Sequence, residues 1–260
     1  MSFLVNPYSY ATGCDADAVA FLAAAGITDA TITSAICTLV TSMKANGTWA
    51  KCNAIYPMVG GTATTHKFNL KNPLDTNAAF RLSFVGGWTH SSNGALPNGT
   101  NAYANTFYQP TFLNSAHLSF YSRTNTTGLF NDIGAGGATL IPNSIILSRF
   151  SDRFYGNINQ TLDSFIANTD SRGLYLTTRA SATNLRLYKN LALVLTSSVA
   201  STTIPAFNIY IGAFNQGNTA TRFSNRQSAF ASMGTGFTEA EALSYCANIV
   251  AFQTTLGRNV

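Results

Sequence analysis

Charge is scarce in this chain. Asp, Glu, Lys and Arg make up 10% of 260 residues, against about 25% in an average globular domain. The two glutamates, Glu239 and Glu241, both fall in the last helical stretch, leaving eight aspartates, at 15, 17, 29, 75, 132, 152, 163 and 170. Enzymes built on carboxylate pairs therefore have few positions to use. The net charge of +5 comes from scattered residues with no run of three bases and no basic-aromatic interleaving, which excludes a nucleic-acid footprint. No stretch approaches a membrane span, and Met1–Pro7 has neither a basic start nor an apolar run of signal-peptide length, so a soluble protein made in a cytoplasm is expected. Cys14, Cys37, Cys52 and Cys246 show no CxxC spacing, and Cys37 and Cys246 sit in apolar helical patterns. Four buried structural thiols are expected, because unpaired cysteine behaves as a small hydrophobe.

Catalytic signatures are missing as well. No GxSxG elbow, HxH or HExxH spacing occurs, and Gly134-Ala-Gly136-Gly137 lacks the Lys-Ser/Thr of a phosphate loop. The ExDxxE strand face of jelly-roll glucanases has no counterpart. His66 and His117 fall on strand patterns, where a histidine is usually a satisfied structural residue. Asn131 with Asp132, or Asn168 and Asp170 with Gly173, could offer hard oxygens to calcium, but no dense acidic loop exists. No metal, cofactor or catalytic residue is expected. Four Asn-x-Ser/Thr sequons, at 46, 98, 125 and 159, are ascribed to chance in a chain rich in Asn and Thr.

What the chain has is Asn, Thr, Ser, Gly, Phe and Tyr, a composition that favours strands and turns. Residues 15–46 read as two helices: Asp15 caps the first, which stops at Gly26, and Thr28 or Asp29 caps the second. Ile32, Ile36, Leu39, Val40 and Met43 form one apolar stripe on the second helix, which ends at Gly47. Trp49 follows as an anchor between helices and sheet. Further on the period becomes two, in Phe80–Phe84, Leu118–Tyr121, Leu185–Tyr188 and Phe207–Ile211, each read as a half-buried antiparallel strand. More strands are expected near 66–70, 104–109, 144–150, 154–160, 173–179, 192–197 and 227–233. Short strands in this number imply a sandwich or barrel. A last helix starts at the Thr238/Glu241 capping box, with Ala242, Leu243, Cys246, Ile249, Val250 and Gln253 on its stripe. Residues 1–50 are thus a segment with a helical hairpin, and 51–260 a β-sandwich closed by a C-terminal helix.

Leu185-Arg-Leu-Tyr188-Lys-Asn190, Ile209-Tyr-Ile-Gly212-Ala213 and Gly234-Thr-Gly236-Phe237-Thr238-Glu239 resemble concanavalin A-like (laminin G-type) jelly rolls over about 80 residues. The resemblance implies a mainly β, antiparallel jelly-roll sandwich. Its Asn-Gly hairpin is replaced by Asn190-Leu191, so the turn must be of another type. Upstream, Gly47-Thr-Trp49, Ile55-Tyr56-Pro57, Lys67–Pro73 and Phe84–His90 are similar to a segment of virion-associated proteins of tailed bacteriophages. This second resemblance implies a structural or receptor-facing virion protein of tail, fibre or capsid, assembled in the bacterial host cytoplasm. Its partners would be copies of itself in a homo-oligomer, other virion proteins and host surface polysaccharide.

The loop from Gly86 to Gly94, continuing through Pro97–Thr100, is the expected binding surface. Trp88 offers a ring for stacking, with Thr89, His90 and Asn93 as short hydrogen-bonding neighbours and Tyr103 extending the platform, together the requirements of a neutral glycan. The other reading of Trp88 is a hydrophobic lid. At the level of function, a lectin-like module or adhesin outside a virion is the alternative to the virion protein, and a glycan-degrading jelly roll is a weaker third.

Overall fold

Short polar side chains set the helix ends. In the computed structural model, which describes residues 13–260, α1 (Ala16–Ala25) begins at Asp15, whose carboxylate accepts the Asp17 N–H, and ends at Gly26 with φ 66°. The reading of Met1–Pro7 lies outside the described residues. Helix α2 (Ala30–Ala45) begins at Asp29, which accepts the Ile32 N–H at 2.8 Å, and closes at Asn46 rather than Gly47. The expectation of four thiols is corrected here: Cys14 and Cys37 form a disulfide between the segment before α1 and the middle of α2. The tight turn between the helices brings the two Cα atoms to 5.1 Å, within bridging range. Sequence spacing could not show that approach. Cys52 and Cys246 are buried thiols, each pushed up to about 12 by burial.

A 3-10 turn at Trp49–Lys51 leads into β1 (Cys52–Tyr56), and the short helix α3 (Ala63–His66) precedes β2 (Ser83–Val85), β3 (Trp88–Ser91), β4 (Gly94–Pro97) and β5 (Tyr103–Asn105). Then come β6 (Ala116–Ser122), β7 (Ile133–Gly136), β8 (Asn143–Phe150), β9 (Arg153–Gln160), β10 (Phe165–Ala167), β11 (Gly173–Ser181), β12 (Asn184–Lys189) and β13 (Ala192–Ser197). Four further strands, β14 (Tyr210–Ile211), β15 (Phe214–Gln216), β16 (Thr219–Thr221) and β17 (Ser228–Gly234), end at α4 (Glu239–Thr255), which starts on the expected Thr238/Glu241 capping box.

Two sheets form a jelly-roll sandwich. One runs β13-β12-β11-β6-β17-β4-β3, with β1 also on β17, and the other runs β10-β9-β8-β7-β14-β5-β2, with β15 beside β7 and β16 beside β15. Pairing is antiparallel except for β15 against β7. Leu118, Phe120, Tyr175, Leu185, Leu187 and Met233 of the first sheet meet Ile133, Ile146, Phe154, Ile158 and Ile211 of the second. Each such side chain contributes about 1.5–3 kcal/mol by leaving water.

The alternate residues of the first sheet do not face water. Tyr121, Leu174, Leu176, Tyr188 and Phe230 pack against Phe21, Ile36, Leu39, Val40 and Met43 of the hairpin, Trp49, and Tyr245, Ile249 and Phe252 of α4. Helices therefore make a third layer, and strands read as half-buried are buried on both faces. All seven residues of β6 are buried, including His117 and Ser119. The polar alternation that suggested solvent serves a closed network instead, in which His117 contacts the Thr235 carbonyl and Ser232, while Ser119 and Ser232 both bond the Tyr245 hydroxyl.

Some expected strands are shorter or missing. Residues 66–70 are the end of α3 and a turn, so His66 is helical, not in a strand. Phe80 sits in the left-handed region at φ 60° and interrupts the alternation before β2. Only Tyr210 and Ile211 of the 207–211 run pair. At the hairpin joining β12 to β13, Asn190 takes φ 52°, and its side-chain oxygen accepts the Leu174 N–H at 2.8 Å, which ties the turn to β11.

Candidate ligand surfaces

The first surface is the edge strand β3. Its pleat turns Trp88 and His90 inward and leaves Thr89 exposed, while Asn93 occupies the exposed tip before β4. Trp88 packs against the inter-sheet core, and its indole N–H points at the carbonyls of Val85 (3.1 Å) and Tyr103 (3.3 Å). Its six-membered ring lies over Gly212, where a Cβ would come within 2.8 Å. Phe84 meets Trp88 edge-on at 5.2 Å and His90 at 4.6 Å. Trp88 and His90 are therefore brought together, whereas Thr89 and Asn93 point elsewhere and the Tyr103 ring stacks on Tyr210 at 4.6 Å.

The neighbouring amides are engaged internally. Asn98 accepts the N–H groups of Thr100 and Asn101, and Asn101 accepts the Gly87 N–H and the Asn98 amide. Beneath the strand, the Nδ1 atoms of His66 and His90 lie 2.9 Å apart, so one ring donates to the other. Burial and the neighbouring His90 hold His66 down to about 3, and burial also lowers His90.

The second surface is a cleft of about 430 Å³ on the outer face of the second sheet. The pleat makes it: Ile146 and Phe154 point into the sandwich, so Ile145 and Leu147 of β8 and Tyr155 of β9 point out, and Leu147 pairs with Tyr155. The segment around Leu140 and Ile141, the Thr161–Asp163 turn, Leu129 and Arg222 wall it. Leu129 and Ile141 in its lining are exposed, and exposed Phe165 packs on Tyr155 at 5.2 Å. Exposed apolar groups collected in one place mark interaction surfaces.

Several polar groups in this cleft have no protein partner among the described residues. Asp163 accepts one amide N–H from Asn157 at 2.8 Å through Oδ1, leaving Oδ2 open. The Tyr155 and Thr161 hydroxyls and the Arg222 guanidinium are likewise unbonded, with Arg222 resting 5.7 Å above the Phe214 ring. Sequence reasoning missed this cleft. The available signal was the unbroken Ile145-Ile146-Leu147 run, which marks a strand covered on both faces; nothing around Arg222 forms a motif.

Most other acids serve the fold. Asp132, offered above as an oxygen ligand, is fully buried against Arg226 at 3.1 Å and also accepts from Ser148 and Ser224. Asn168 receives Lys189 and bonds Tyr175, and Asp170 pairs with Arg172 at 2.8 Å and is held down to about 2. Among the described residues no group of three His, Cys, Asp or Glu is placed to hold a metal, and no helix is long and apolar enough to cross a membrane.

No protein-family model and no curated protein matches the chain. Among solved structures, the botulinum neurotoxin serotype D binding domain aligns at TM-score 0.50 and 8% identity, over 78% of this chain and 52% of that one. Domain 4 of AbnA, a GH43 extracellular arabinanase from Geobacillus stearothermophilus in complex with arabinotriose, aligns at 0.48 and 12% identity, over 75% and 98%. The Ruminococcus gnavus IT-sialidase CBM40 aligns at 0.37 and 10%, over 51% and 82%. The chain spans about half the length of the neurotoxin domain it matches. At such identity the likeness to the neurotoxin domain is one of fold alone.

Proposed function

We propose that this protein is a carbohydrate-binding β-sandwich module whose ligand lies in the cleft over β8 and β9. The observation that carries the reading is the pairing of an apolar floor with unengaged polar groups around it. A pyranose presents the same two faces, since its C–H groups pack on rings such as Tyr155 and Phe150 while its hydroxyls bond at the rim. Binding rather than turnover fits the acids available: Asp163 is the one carboxylate lining the cleft, whereas glycoside hydrolysis usually employs two. The test is a glycan array followed by calorimetry on wild type, Tyr155→Ala and Asp163→Asn. Loss of binding in both variants with unchanged melting supports the cleft; retention in both rejects it.

The β3 edge is proposed as the lesser surface, because Thr89 and Asn93 are exposed beside a ring whose N–H is already engaged.

A second reading places the module in a phage particle as part of a tail, fibre or capsid, assembled as an oligomer in the host cytoplasm. It rests on the upstream resemblance and on a chain with only 10% charged residues, which suits burial against neighbouring copies. Mass spectrometry of purified particles tests it. A soluble monomer that never copurifies with particles would count against it.

A further inference from the structure

Arg222 is the feature of the cleft that a neutral sugar leaves unexplained. The three fully buried guanidinium groups of this protein are each supplied with acceptors. Arg226 has Asp132 and the carbonyls of Thr126 and Arg149; Arg179 has Gln160 and the carbonyls of Ile158, Ala182 and Val199; Arg258 has Gln253 and the carbonyls of Pro57, Met58 and Ala229. Arg222 is half-buried in the cleft wall and has no such acceptor among the described residues. It is also held in the left-handed region, at φ 51°, just after β16. That conformation is uncommon for a residue with a side chain. Asp163 lines the same cleft but forms no ion pair with Arg222 within 4 Å, being fixed instead by Asn157. A free cation and a half-free carboxylate thus stand apart across one cavity.

Resting on the glycan-binding reading of the cleft, we infer that its ligand is an acidic sugar whose carboxylate pairs with Arg222 and whose hydroxyl donates to Asp163 Oδ2. A planar guanidinium matches a carboxylate with two parallel N–H···O bonds, and partial burial strengthens them. Asp163 opposes any ligand that brings its negative charge to that end, so the two groups together fix the orientation of the sugar. A cleft of about 430 Å³ suits one or two sugar rings rather than a long chain.

Uronate-bearing and sialate-bearing oligosaccharides share this carboxylate chemistry. Calorimetry on the intact protein with each, beside its methyl ester, separates the sources and tests the charge in one series. The acid of at least one pair should bind roughly ten- to hundredfold tighter than its ester, the range expected for hydrogen bonds to a charged group. The preference should shrink with added salt. R222Q should remove it while leaving ester binding in place, and R222K, a point charge without the fork, should keep part of it. D163N should weaken acid and ester alike. Should R222Q fail to fold, the acid–ester comparison on wild type decides alone. Equal binding of acid and ester overturns the inference and leaves the glycan reading standing. Absence of binding by every acid and every ester overturns both.

Discussion

The β3 edge and the β8–β9 cleft are both aromatic, both partly exposed and both bordered by short polar side chains, yet they use their polar atoms in opposite ways. At the edge, the Trp88 N–H, the Asn98 and Asn101 oxygens and the His66–His90 pair are all engaged within the protein. In the cleft, the Tyr155 and Thr161 hydroxyls, one Asp163 oxygen and Arg222 await a partner. Composition does not separate the two regions. Saturation of the partly buried groups does, because a group already bonded in the fold gains little from a ligand, while an open, partly buried one such as Tyr155 or Arg222 gains a neutral or charged bond.

Acid offers the sharpest way to break the comparison, since the histidines lie beneath the edge and the first sheet and none lines the cleft. His66 and His117 are held down by burial to about 3 and about 4 from an ordinary 6.5. A folded pKa below the unfolded one gives stability that is complete above about pH 6.5 and is lost as pH falls toward 4 and then 3. His117 alone would remove roughly 3 kcal/mol over that window. Asp170, held down to about 2 by Arg172, adds a separate loss below its ordinary range near 3.8. Urea melts between pH 7 and pH 4 should show stability falling across the interval. His117→Gln should flatten much of the slope, and a pH-independent midpoint would refute the account.

Trp88→Ala comes next. The ring is half-buried against the inter-sheet core, so the loss should be about 2–3 kcal/mol of folding stability, below the 3–5 kcal/mol of a fully buried aromatic. Glycan binding at the cleft should be unchanged. A small effect on melting with a large effect on binding would reverse the ranking of the two surfaces.

These expectations also mark what was legible in the sequence. The two helices, their aspartate caps, the Thr238 box and strands such as β6, β8, β9 and β11 followed from periodicity and capping chemistry, because those signals are local. Whether a polar alternate residue faces water is not local: Ser119 looks solvent-directed until α4 and the hairpin close over it. The disulfide failed for the same reason, as its geometry is set by how the turn folds α1 on α2. Trp88 was conspicuous by its type and its glycine-rich setting, but its N–H partners, Val85 and Tyr103, are fixed by the strand pairing. The cleft was invisible because its members come from β8, β9, the 137–142 segment, the 161–163 turn and Arg222, brought together by the sheet alone.

A smaller effect is expected for Tyr155→Ala. Its ring meets Phe165 at 5.2 Å and floors the cleft, so stability should fall by about 1 kcal/mol. Saccharide affinity should fall roughly tenfold, by analogy with removal of an aromatic contact at an interface. Calorimetry and thermal melting on the single variant separate the two numbers.

The smallest expected effect belongs to the exposed members of the edge, and it is the most exacting for the comparison. In the glycan set expected from the sequence, His90 is paired and the Tyr103 ring is stacked with its hydroxyl unbonded among the described residues, whereas Thr89 and Asn93 are exposed. Neither has a side-chain hydrogen bond among the described residues, and both face water, so a double change to alanine should alter stability by no more than about 0.5 kcal/mol. If the cleft is the ligand site, glycan affinity should also stay within experimental error, because hydrated side chains remote from the ligand offer nothing to lose. A tenfold drop in affinity with unchanged melting would mean that the ligand sits on β3. Saturation of the Trp88 N–H would then matter less than the open face beside it, and the cleft would have to be assigned to something other than the sugar.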